Sequence, residues 1–234
     1  MSSTILIERR FHGPPASGNG GYTCGVLSSF VNDPAQVTLR SPPPLDRPLN
    51  VVRRGRKAEL FHGNRLVAEA ERTDLDPLDL PRPPSLADAE NAAASYAGFR
   101  EHAFPTCFVC GPERAEGDGL RIFAGPVAHM TPLVAAPWTP APDLCRPDGR
   151  VRREFVWAAL DCPGAFAVGY PDRGETLLGR LAVRIESLPQ AGEQCLVVGW
   201  PLGEDGRKLY AGTALFRATG DVLAWARATW IVPH

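Results

Sequence analysis

The sequence predicts an α+β fold written twice in tandem, each copy a curved antiparallel sheet wrapped round one central helix, together forming an intramolecular pseudo-dimer. Three observations carry this. The order of elements repeats, both central helices are apolar on most faces, and a Pro-rich stretch with its own short helix separates the copies. The expected boundaries are 1–75 for the first unit, 76–104 for the linker and 105–234 for the second unit.

The first unit opens with a strand over Thr4–Phe11, passes a Gly/Pro/Ser stretch, and enters a helix over Gly21–Val31 stopped by Asn32-Asp33-Pro34. Alternating residues then predict strands at Gln36–Arg40, Leu49–Arg53, Arg56–His62 and Arg65–Thr73, the last two joined by a tight Gly63-Asn64 turn. The second unit repeats the plan. Strands are expected at Gly119–Phe123 and Met130–Ala136, a helix over Phe155–Gly169, and strands at Leu178–Ile185, Glu193–Trp200, Lys208–Arg217 and Val222–Val232. Its closing segment Val222–Thr229 aligns with Leu66–Thr73, matching Ala, Ala and Thr, and each follows a Gly turn.

The helix residues Tyr22, Cys24, Val26, Leu27, Phe30 and Val31 leave almost nothing to face water, so the helix must be covered on several sides. Between the units, Asp74–Pro84 is Pro-rich. Ser85, with Asp88 three residues on, has the pattern of a cap opening an Ala-rich helix that reaches Tyr96.

Composition excludes several classes of function. The 25 basic and 26 acidic residues are interspersed, so no sustained basic field exists for nucleic acid or an anionic membrane. No apolar run approaches the roughly 20 residues that span a bilayer, and the first ten residues lack a signal-peptide pattern. A cytoplasmic location follows by default, and the six cysteines are expected as reduced thiols. The edge strands of two fused units leave room for pairing into a homodimer, though no residue fixes it.

Cys107-Phe108-Val109-Cys110-Gly111-Pro112, followed by Gly119-Leu120-Arg121-Ile122-Phe123, resembles the opening of many hotdog-fold thioesterase-like proteins. Trp157-Ala158-Ala159-Leu160-Asp161-Cys162-Pro163 is similar to their central helix with its acidic residue, and Gly18-Asn19-Gly20-Gly21 to the glycine-rich start of that helix. The resemblance implies a double hotdog acting on a small-molecule acyl thioester, acyl-CoA or acyl carrier, with no cofactor.

Thioester hydrolysis needs donors for the developing oxyanion and a carboxylate as base or nucleophile. Gly20 and Gly21 offer backbone N–H groups at a helix start, and Asp161, set among Ala158, Ala159, Leu160 and Ala165, offers a desolvated acid. The thioesterases it resembles place the oxyanion glycine eight residues before the acid, with the working pair drawn from opposite subunits. Counting back eight from Asp161 gives Arg153, and counting on eight from Gly20 gives Ser28. Each half keeps what the other lacks, so one composite site is expected.

For Asp161 the structural alternative is capping the turn before Cys162-Pro163-Gly164, and for Gly20-Gly21 a plain helix start. Asn19 is an N-cap or a substrate contact; His12 and Thr176 are further candidate substrate contacts, each with a turn or loop role as the alternative. Cys107-x-x-Cys110 raises zinc, but His102, Cys145 and Cys162 stand only at irregular spacing, so no metal site is expected. Cys162 reads as a core residue.

A non-catalytic acyl-binding module is the competing function, because fold alone does not choose. A hydratase would want an Asp and a His together at a helix start. Neither helix carries that pair.

Overall fold

Residues 2–75 and 78–233 are described by the computed structural model; the Asp76–Pro77 step of the expected linker lies outside them. The first half contains β1 (Ser2–Leu6), α1 (Gly20–Ser28), β2 (Ala35–Leu39), β3 (Pro48–Arg54), β4 (Lys57–His62) and β5 (Arg65–Arg72). The hairpin between β4 and β5 closes as the turn residues require. His62 faces Arg65 across Gly63-Asn64, and Gly63 takes a left-handed φ of 57°, which a side chain would oppose.

The linker carries α2 (Leu86–Ala94). Ser85 caps it, its hydroxyl accepting from the Asp88 N–H at 3.1 Å and donating to the Asp88 carboxylate at 2.6 Å. The second half contains β6 (Gly125–Pro126), β7 (Val134–Trp138), α3 (Arg153–Ala159), α4 (Cys162–Ala167), β8 (Leu177–Ile185), β9 (Cys195–Asp205), β10 (Lys208–Arg217) and β11 (Val222–Ile231).

The strands form one antiparallel sheet in the order β1-β3-β4-β5-β2-β8-β11-β10-β9-β7-β6. Its halves join where β2 pairs with β8, Val37 opposite Leu181. Outward from that junction the first half runs β2, β5, β4, β3, β1 and the second runs β8, β11, β10, β9, β7. Five strands on each side therefore correspond, with β6 alone lying beyond β7, and β5 and β11, which carry the aligned alanines, both lie next to the junction strand.

α1 packs against β2, β4, β5 and β8, and against α3. The two helices approach closely because Gly21 and Gly25, one turn apart, face α3: a Cβ on Gly25 would stand 2.6 Å from Glu154 Cα, and one on Gly21 would stand 2.9 Å from the Trp157 carbonyl oxygen. Aromatic rings from both halves fill the space beside this crossing. Phe11 stacks on Tyr22 with centroids 4.2 Å apart and meets Phe108 edge-on at 5.1 Å, while Tyr22 lies 5.6 Å from Phe155.

Several expected elements change in the structure. The opening strand ends at Leu6, and a 3-10 turn at Arg9–Phe11 follows it. The first helix stops at Ser28 rather than Val31, with the Ser28 and Ser29 hydroxyls bonding back to the Gly25 and Val26 carbonyls. Gly119–Phe123 is not a strand. Gly119 and Arg121 take left-handed φ values of 87° and 51°, which break the strand, while the Leu120 and Ile122 N–H groups donate to the Phe108 and Val109 carbonyls of the cysteine loop and both side chains are buried. The Met130–Ala136 strand starts only at Val134, because Met130–Leu133 closes a turn in which the Leu133 N–H bonds the Met130 carbonyl.

The expected helix over Phe155–Gly169 is two helices broken at Leu160-Asp161. Pro163 is the cause: it has no N–H to donate backward, and its ring would strike the preceding turn. The linker helix does more than span a gap. Ala89 and Ala92 pack into a second core with Val127, Leu133, Val198 and Phe216, and Gly125 lies so close to the Ala92 carbonyl that no Cβ fits. Among the described residues no helix is long and apolar enough to cross a membrane.

Candidate functional site

Asn19 caps α1, its side-chain oxygen accepting from the Tyr22 N–H at 2.8 Å. The other end of the same amide donates to Asp161 Oδ2 at 3.0 Å, and the Gly21 N–H donates to that oxygen at 2.8 Å. A residue of the break between α3 and α4 thus meets the start of α1 across the two halves. Asp161 makes no cap bond to its own helix.

The break aims it there. With no continuous helix, the Leu160 carbonyl is taken by the buried Thr213 hydroxyl of β10 at 2.7 Å, and the Gly164 N–H bonds the Asp161 carbonyl. Thr213→Val leaves the Leu160 carbonyl without a partner and is expected to cost about 1–3 kcal/mol, read by urea denaturation. Stability unchanged by that substitution would show that Thr213 does not hold the break.

Asp161 is 2 % exposed, and its Oδ1 has no hydrogen-bond partner among the described residues. Burial pushes its carboxyl up to about 7, while the Gly21 N–H and the Asn19 amide pull it down and Cys107 pushes it up. The carboxylate is therefore anchored by one oxygen, with the other free. Asn19→Ala removes both the cap and one anchor, for an expected loss of about 1–2 kcal/mol in thermal denaturation. Asn19→Ser keeps a capping oxygen and should recover part of that loss; no recovery would put the effect elsewhere.

The two glycines have separate places. Gly21 is committed to Asp161, whereas the Gly20 N–H, at the first turn of α1, has no partner among the described residues. Gly20 is half-buried beside Leu178 and Leu39, whose side chains a Cβ on Gly20 would meet at 2.9 and 3.2 Å. The two N–H groups are therefore not equivalent, because the acid itself occupies that of Gly21.

Arg153 and Ser28 do not reproduce this arrangement. The Arg153 guanidinium pairs with Asp33, and the Ser28 hydroxyl donates to the Gly25 carbonyl at 2.8 Å. His12 has its Nδ1 3.1 Å from the Gly13 carbonyl, and the Thr176 hydroxyl donates to the Gly174 carbonyl at 3.1 Å. Among the described residues no hydrogen bond joins either to Asp161, Asn19 or Gly21.

Sequence reasoning passed over Cys107 as a neighbour of this site. The Asn19 amide nitrogen lies 3.8 Å from its sulfur, and a signal was present in the CxxC turn. Two surface cavities lie elsewhere. One of about 460 Å³ runs between Asp79–Pro81 and Met130–Leu133, and one of about 380 Å³ is lined by Arg150, Arg153 and Arg217; Asp161 lines neither.

The fold is shared with several solved thioesterase structures. Over its whole length the chain is similar to the tesB protein of Mycobacterium avium subs paratuberculosis, at 13 % identity over 93 % of that chain with a TM-score of 0.64. It is also similar in fold to an acyl-CoA thioesterase II, TesB2, of Mycobacterium marinum, at 11 % identity over 93 % of that chain with a TM-score of 0.61. No family model and no curated protein matches the sequence.

Proposed function

We propose that the chain hydrolyses an acyl thioester, acyl-CoA or acyl carrier, at one composite site between two tandem hotdog units, residues 1–75 and 105–234 joined by 76–104. The pseudo-dimer reading is supported by the matching strand order on either side of the β2–β8 junction. One observation carries the chemistry. Asp161 Oδ2 is fixed by the Gly21 N–H and the Asn19 amide from the opposite half, leaving Oδ1 unpartnered.

In this reading Oδ1 removes a proton from a water molecule as its oxygen attacks the thioester carbonyl. The Gly20 N–H, with no Cβ in the way, steadies the negative oxygen of the tetrahedral intermediate. Collapse expels the thiolate, which takes the proton back from Asp161 and leaves a free acid. Leu39 and Leu178 give the acyl chain an apolar wall beside Gly20. His12 and Thr176 are assigned no part in the chemistry.

The 2 % exposure of Asp161 favours a second reading, a non-catalytic acyl- or acyl-CoA-binding protein, because a closed carboxylate is also a structural anchor. A panel of acyl-CoAs assayed by thiol release separates the two. Turnover by the wild type that Asp161→Asn loses supports hydrolysis. Binding without turnover at any chain length supports the second reading.

A further inference from the structure

Two cysteines of one turn and a third 52 residues further along the chain converge behind this site. The sulfurs of Cys107, Cys110 and Cys162 all lie within 4.8 Å of one another, with Cys107 and Cys162 3.9 Å apart, and all three residues are buried. Zn–S bonds of about 2.3 Å in a tetrahedron space the sulfurs by about 3.8 Å, so the cluster is close to the size a zinc ion requires.

The loop that supplies two of them is shaped for this. In Cys107-Phe108-Val109-Cys110-Gly111 the Gly111 N–H closes the turn on the Cys107 carbonyl at 2.9 Å. A Cβ on Gly111 would stand 2.5 Å from the Cys107 nitrogen and 2.6 Å from the Pro105 carbonyl, so only glycine allows the tight return.

Polar hydrogens converge on the sulfurs. The Asn19 amide approaches the Cys107 sulfur at 3.8 Å. His102 Nε2 lies 3.3 Å from the Cys110 sulfur. Its Nδ1 accepts from the Phe104 N–H at 3.0 Å, which places the ring proton on Nε2, facing the sulfur. His102 is thus a donor to the Cys110 sulfur. Tyr96, Phe166 and Tyr170 enclose its ring, and the Tyr96 hydroxyl bonds the Cys110 carbonyl.

Donors aimed at sulfur stabilise anions, and three thiolates buried together are tolerable only around a cation. We propose that Cys107, Cys110 and Cys162 bind one zinc ion, with His102 positioning the Cys110 sulfur as a hydrogen-bond donor. Binding releases three thiol protons to solvent. The ion ties the 107–111 loop to the start of α4, next to the residue that meets α1. The proposal stands independently of the hydrolase reading.

Its test uses the full chain without a metal-binding tag, purified under reducing conditions without chelator, and its metal content measured by mass spectrometry. About one zinc per chain is expected, falling at least tenfold in Cys107→Ser and Cys162→Ser and unchanged in Cys145→Ser, whose thiol lies apart against the Ala141 carbonyl. Since a cysteine variant may fold poorly, cobalt(II) is also added to reduced, metal-stripped wild type. A near-ultraviolet thiolate-to-cobalt charge-transfer band saturating at one equivalent supports the site even where the isolated protein carries no zinc. Zinc below a tenth of an equivalent with no such band would overturn it, as would zinc retained in both cysteine variants or a disulfide joining two of the three cysteines in the freshly isolated protein.

Discussion

Gly25→Ala is expected to lower the melting temperature by about 6–12 °C. Alanine ordinarily strengthens a helix interior by about 1 kcal/mol over glycine, so propensity alone predicts the opposite sign. Packing reverses it. The added carbon would stand 2.6 Å from Glu154 Cα, 2.8 Å from Trp157 Cβ and 3.0 Å from the Glu154 carbonyl oxygen, none of which can rotate away. α1 and α3 must therefore separate, at a cost of about 3 kcal/mol, which for a chain of this length corresponds to about 2–4 °C per kcal/mol. Calorimetry or circular dichroism on the two proteins checks it. A variant as stable as the wild type, or more stable, would mean that the helices do not cross on this glycine.

Asp161→Asn should lower kcat for acyl-thioester hydrolysis by about 100- to 10,000-fold while leaving KM within a few-fold. The amide keeps the size of the side chain, and its oxygen accepts from the Gly21 N–H and the Asn19 amide as Oδ2 does. What it loses is the basic Oδ1, the one atom of the group without a partner. The fold should survive, and an unchanged thermal transition would confirm that lost turnover reflects chemistry. Equal turnover in the two proteins would remove Asp161 from the reaction.

Both predictions concern the same crossing. Glycines in the first helix and an acid in the second, each missing from the other copy, pointed to a meeting across the halves, and the Gly21 N–H bonds Asp161. The sequence could not apportion the glycines. Which of two adjacent N–H groups is committed depends on where the partner helix breaks, and Pro163 and Thr213 place that break. His12 and Thr176 are near these segments only along the chain, and their side chains bond backbone carbonyls in their own turns.

Local chemistry by itself determined the Gly63-Asn64 hairpin and the Ser85 cap, because each depends on residues within a turn of one another. Tertiary structure alone decided the rest. Gly119–Phe123 has the alternation of a strand but is held by the cysteine loop, and α2 is a covering helix because Gly125 admits it. Cys162 stands 52 residues beyond Cys110, and no spacing rule reaches that far. Only the packing of α4 against the 107–111 loop brings the third sulfur to the other two.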